Sequence, residues 1–176
     1  FTIIETLVAV AILMISIAGP LTIAYKGLLA AVYAHDNVTA SYLAQDAMEY
    51  IKNVRDYNIL RDPDGNTVNW LSGLGTSGTC RAADSFCKVD TIKYDTKSSS
   101  LAIASCAVAN NGCRLYKSSA GYTPDSSGAT ATQFSRYFYI LDKGPDKAVI
   151  VVNVEWKNGT VDNLVSYKNE IFRVLR

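Results

Sequence analysis

Residues 6–25 of this chain carry no formal charge, and a single acid, Glu5, stands directly before them. An α-helix needs about 20 predominantly apolar residues to cross bilayer hydrocarbon, so this stretch has the length and chemistry of a membrane span. A carboxylate at the end of such a rod is costly in lipid and marks function. The α-amino group of Phe1, at the same end, supplies an opposite charge that can neutralise it. The run restricts the fold, because a helix that is apolar all round must meet lipid, other proteins or copies of itself.

A secretory signal peptide begins with a basic segment and ends in a small-residue cleavage site. Here the run begins with Phe and an acid and passes directly into an amphipathic pattern. A plain single-pass anchor has no use for Glu5. Beyond Tyr25, the residues Leu28, Leu29, Val32, Tyr33, Leu43, Ala47, Tyr50, Ile51 and Val54 recur at helix-face spacing, with Lys26, Asp36, Gln45, Asp46, Glu49, Lys52 and Asn53 between them. One helix over 1–57 is expected, about 85 Å long at the standard rise. Glu5 suits its N-terminus, and Lys52 and Arg55 suit its C-terminus, by their charges against the helix dipole.

The N-terminal string Phe1-Thr2-Ile3-Ile4-Glu5-Thr6-Leu7-Val8-Ala9-Val10-Ala11-Ile12-Leu13 closely resembles the mature start of type IV pilins and type II secretion pseudopilins. The resemblance is specific over the first twenty-five residues or so and architectural beyond them. It implies a leader removed before Phe1 by a prepilin peptidase, N-methylation of Phe1, and a single-pass precursor in the cytoplasmic membrane. It further implies assembly into a surface filament, with Glu5 pairing to a neighbour's Phe1 amine and with an assembly ATPase and a platform protein as partners. Gly19-Pro20 resembles the helix-breaking pair of many members. Proline frees the carbonyl of Ser16, so either a mild kink or local melting on leaving the membrane is expected there, with melting slightly favoured.

The remaining sequence reads as a modest head. With 176 residues and 49% hydrophobic content, the expected division is a hydrophobic half-helix 1–25, an amphipathic half-helix 26–57 packed on the head, and a globular head 58–176. The fold class expected is α+β, a long helix, partly transmembrane, packed on a C-terminal antiparallel sheet. Seventeen basic against 16 acidic residues leave a net charge of +1, which does not mark a nucleic-acid binder. A single histidine, His35, argues against zinc chemistry and a His-dependent triad. No cofactor, metal or catalytic group is expected.

Cysteines fall as Cys80-x6-Cys87 and Cys106-x6-Cys113. In an exported chain an even count suggests disulfides, with three pairings open. The two local bridges are favoured, each stabilising by about 2–3 kcal/mol through loop closure. Neither unit has the CxxC form of zinc or redox sites. Asp62-Pro63-Asp64-Gly65-Asn66 reads as a turn rather than a calcium loop, and 72–78 as a connector rather than a phosphate cradle. Short strands are expected at 91–94, 101–104 and 114–117, with an exposed loop at 118–132. Strands are expected at 136–142 and 148–156, where Ile150, Val152, Val154 and Trp156 share a face opposite Asn153 and Glu155. The Asn158-Gly159 pair signals a hairpin returning through 160–176.

Asn37-Val38-Thr39 and Asn158-Gly159-Thr160 match the glycosylation sequon, a pattern with frequent false matches. The eleven tyrosines do not line one helix face and read as packing residues. The resulting expectation is a structural pilus-like subunit. A low-abundance tip pilin, a secretion pseudopilin and a membrane-anchored binding module that does not polymerise stay open as alternatives.

Overall fold

The computed structural model describes residues 2–62, 69–75, 80, 85–93 and 102–173. Helix α1 runs Ile3–Arg61, one turn beyond its expected end. The Thr2 carbonyl accepts from the backbone N–H groups of Glu5 (3.1 Å) and Thr6 (3.3 Å), closing the first turn. Glu5 lies in that turn and Arg61 in the last, each complementing the local end of the helix dipole. The chain divides into two compact units, Phe1–Val38 and Thr39–Arg176.

Within the second unit, α1 contributes Ala40, Leu43, Ala44, Ala47, Met48 and Ile51 to the core. Each lies three or four residues from another along the series, which puts them on one stripe of a 3.6-residue helix. The opposing side chains are Leu115, Phe134, Phe138, Ile140, Ile150, Val152, Val154 and Trp156. Leu28, Leu29, Val32 and Tyr33, which continue the same periodicity, are exposed. The fold class is α+β, a long N-terminal helix with an antiparallel sheet.

Seven strands make up that sheet among the described residues: β1 Phe86–Val89, β2 Ile103–Cys106, β3 Arg114–Ser118, β4 Gly121–Thr123, β5 Thr130–Lys143, β6 Lys147–Asn158 and β7 Val161–Phe172. Strand β5 is the axis. One edge pairs with β6 from Ser135 to Lys143, while the other is shared by β3, near Thr130–Ser135, and β1, through Phe138. Fourteen residues are long enough to seat two shorter strands end to end. A bulge follows Ile140, where Leu141 is the extra residue between the pairs Ile140–Ile150 and Asp142–Val149.

The β6–β7 hairpin forms at the Asn158-Gly159 signal, one residue out of the usual frame. Asn158 pairs with Val161, leaving Gly159 and Thr160 as the loop. Gly159 takes φ 62°, the left-handed first position that a two-residue hairpin assigns to glycine. Gly144 N–H donates to the Lys147 carbonyl at 2.8 Å and closes the β5–β6 turn.

Several local expectations need correction. Residues 118–132, expected as an exposed loop, hold β4 and the start of β5. Short polar residues concealed strands whose stability comes from pairing with β3 rather than from their own propensity. Thr91 and Ile92 form a bend, not a strand, because the Asp90 carboxylate accepts from the Ile92 N–H at 3.2 Å and competes with a ladder bond. Tyr94, Leu101 and most of the turn and connector expected at 62–66 and 72–78 lie outside the described residues.

Candidate functional site

The feature that most resembles a site is the first unit's helix surface. Every described residue from Thr2 to His35 is exposed, and large side chains dominate, with Ile3 82%, Ile15 76% and Ile23 74% exposed. The helix is long and apolar enough to cross a membrane, and none of its apolar window is buried by the rest of the chain. Soluble proteins rarely leave contiguous apolar surface of this kind uncovered. A membrane anchor is compatible with it.

Glu5 sits one turn inside this surface, and its backbone N–H is bound by the Thr2 carbonyl. The neighbouring Thr6 hydroxyl donates back to the Ile3 carbonyl at 2.8 Å, a local bond within the helix. Phe1, the residue expected to act with Glu5, lies outside the described residues. Gly19 and Pro20 lie inside α1, which continues through them as helix. A Cβ on Gly19 meets no atom within 4 Å, so this glycine is not required by contacts within the chain. Ser16 and Thr22 on either side donate to the carbonyls of Leu13 and Ala18, each at 2.8 Å.

The cysteines pair as Cys80–Cys87 and Cys106–Cys113, both with Cα–Cα separations of 5.2 Å. The first ties residue 80 to β1. Its backbone also joins the sheet, since the Cys80 carbonyl accepts from the Ile140 N–H at 2.8 Å. The second closes a loop containing a 3₁₀ turn, Val108–Asn110. Among the described residues no group of three or more His, Cys, Asp or Glu could hold a metal ion.

A buried arginine escaped the reading of the sequence. Arg136 on β5 is 1% exposed. One guanidinium nitrogen donates to the Leu43 carbonyl (3.1 Å) and the Asp46 carboxylate (3.0 Å) of α1; the other donates to the Val89 carbonyl (3.0 Å) and Thr91 hydroxyl (3.4 Å). Thr91 in turn donates to Asp46 at 2.6 Å. Burial pushes the proton affinity of Arg136 down, and the hydrogen bond and charge of Asp46, followed by the charge of Asp90, oppose that shift. A planar fork with five donors can satisfy two backbone carbonyls and a carboxylate at once. The signal was present: Arg136 alternates with Phe138 and Ile140 on what became the core face.

Other polar anchors were equally hidden. Asn58 is buried and donates to the carbonyls of Trp70 (3.2 Å) and Ser72 (2.8 Å), tying the segment after α1 back to its last turns. Asp90 is buried and accepts from the Thr123 hydroxyl at 2.9 Å. Lys93 donates to Asp125 at 2.8 Å, which holds the Asp125 carboxyl well below its ordinary range and raises Lys93. On the opposite face of the sheet, Tyr137 donates to Glu155. Burial, with that hydrogen bond next, pushes the Tyr137 hydroxyl up to about 12.

One long apolar N-terminal helix followed by an antiparallel sheet is a layout that resembles a pilin's. No family model, curated protein or solved structure matches this chain.

Proposed function

We propose that this chain is a structural subunit of a type IV pilus-like surface filament. The observation that carries the reading is the exposed apolar half-helix with its single acid, Glu5, one turn from the N-terminus. Such a surface can be covered twice: by lipid before assembly, and by the same helix of neighbouring subunits afterwards. The first state needs length and apolarity. The second needs register, and a lone charge in an apolar setting supplies it, because an unpaired Glu5 gains most at the place where a neighbour's Phe1 amine is also unpaired.

In this reading Phe1 is the processed and N-methylated residue, and prepilin peptidase, assembly ATPase and platform protein are the machinery that handles the subunit. Gly19 and Pro20 are helical in the single chain and are the place where helix bonds are weakest, since Pro20 donates none. Melting there belongs to the assembled state. The head, with its own core and staples, stays folded in both states and decorates the filament surface.

The reading is tested by shearing filaments from the native cells and weighing their subunits by intact mass spectrometry. A dominant species beginning at methylated Phe1 is expected. Absence of the chain from sheared filaments, with the protein still in the membrane, overturns the proposal in favour of a non-polymerising anchor.

A further inference from the structure

The Cys106–Cys113 loop overhangs one end of the sheet and leaves a groove of about 610 Å³ beneath it. Strand register defines the groove's floor. Arg114 pairs with Ser135, Ser135 with Glu155, and Glu155 with Leu164, so these four side chains cross β3, β5, β6 and β7 as one row on one face. Lys157 pairs with Asp162 in the next row and bridges to it at 3.0 Å. Gln133, two residues before Ser135, shares that face. All of these residues lie in the second unit, so the groove belongs to the head alone.

The wall is built rather than incidental. The disulfide closes its base, and the Gly112 N–H donates to the Ala107 carbonyl at 3.0 Å. A Cβ on Gly112 would stand 2.9 Å from that same oxygen, so the chain closes this tightly only with glycine. Asn111 holds a left-handed φ of 54° and ends the 3₁₀ turn with its N–H on the Val108 carbonyl, a conformation asparagine adopts readily. Asn111, Val108 and Ala109 line the groove from this wall.

We propose that this groove binds a neutral oligosaccharide. Two cations, Arg114 and Lys157, face two anions, Glu155 and Asp162, so the lining has no net charge to attract an ionic ligand. Backbone recognition of a peptide is closed off at the floor, because β5 and β6 are paired on both sides there and offer no open ladder. What remains for recognition is side chains, most of them of the planar, two-pronged kind: the Arg114 guanidinium, the amides of Asn111, Gln133 and Asn163, and the carboxylates of Glu155 and Asp162, which also hold Tyr137 and Lys157. Each presents adjacent donors or acceptors, the arrangement that matches neighbouring hydroxyls on a sugar ring. Val108, Ala109 and Leu164 supply apolar contact for its C–H faces. The inference goes beyond the filament reading and stands on the head alone.

The Trp156 indole lies in the core on the other side of the sheet, so occupancy is read from the side-chain NMR resonances of Gln133 and Arg114, which line the groove itself. The full chain, held in a detergent without sugar headgroups, is titrated with cellohexaose, chitohexaose and mannohexaose, and with oligogalacturonate as the anionic control. A saturable shift of those resonances with at least one neutral oligosaccharide is expected, weakened about tenfold by Arg114→Ala or Gln133→Ala, each followed on the remaining resonance, and unchanged by Ile12→Ala. No response to any neutral oligosaccharide up to about 1 mM, a response to oligogalacturonate alone, or binding indifferent to both groove substitutions overturns the proposal. Filament assembly plays no part in these measurements, so their failure leaves the filament reading standing, and the reverse.

Discussion

The two halves of helix α1 are built from similar residues and are held by different surroundings. Ala40, Leu43, Ala44, Ala47, Met48 and Ile51 are buried in one core with residues of the sheet. From Ile3 to Tyr33 apolar side chains of the same kinds are about half to four-fifths exposed. The first stretch is stabilised by its own chain, mainly through area removed from water. The second must be completed by lipid or another molecule. One continuous helix can therefore carry a folding determinant and an assembly determinant, and a substitution should affect one without the other.

The sharpest break of that comparison is at Glu5. Under the proposed pairing, Glu5→Ala is expected to leave the amount of protein in the membrane unchanged and to cut sheared-filament yield by about tenfold or more, since a filament that buries the pair would lose about 3–5 kcal/mol with one member removed. Normal filament yield in that variant sinks the pairing mechanism. Next comes the arginine that docks α1 on the sheet. Arg136→Ala removes the side-chain donor shared by the Leu43 and Val89 carbonyls and the Asp46 carboxylate and opens a cavity, so chemical denaturation of the full chain in detergent should show a loss of about 3–5 kcal/mol. A loss below about 1 kcal/mol says that solvent replaces the guanidinium and that the dock is mainly apolar.

A matched pair on one helix probes the contrast most directly. Ile51→Ala is expected to destabilise the head by about 2–5 kcal/mol, whereas Ile12→Ala, on the exposed stretch, should stay within about 0.5 kcal/mol in the same assay and lower filament yield instead. Equal effects on head stability remove the distinction between the halves. The smallest expected effect concerns Tyr137. Its folded pKa is raised from 10.0 to about 12, so the neutral form is favoured and its contribution is complete below pH 10. That contribution is lost as pH rises from about 10 to about 12. Ultraviolet titration should show one late-ionising tyrosine that disappears in Tyr137→Phe; a phenolate forming near 10 contradicts the burial of this side chain.

Much of the fold was legible because it is written in local periodicity. The apolar run before Lys26, the stripe through Leu43, Ala47 and Ile51, and the alternation of Ile150, Val152, Val154 and Trp156 depend only on helix and strand geometry. The paired cysteines at matching spacing and the glycine of the β6–β7 turn are local in the same sense. The exposed apolar surface with its acid was equally legible, since an uncharged run with one acid needs no partner within the chain to be noticed.

What tertiary structure alone decided is long-range. Sequence cannot tell that β5 seats both β1 and β3 along one edge, or that residues around Tyr122 become a strand. Both depend on which strands meet across the chain. Nor could it place Arg136 against Leu43 and Asp46, separations of 93 and 90 residues. Local pattern fixes which face of an element is apolar, because side-chain direction follows from backbone geometry. Pairing and docking fix which polar groups on those faces find partners, because a buried charge is tolerated only where the rest of the fold brings donors and acceptors to it.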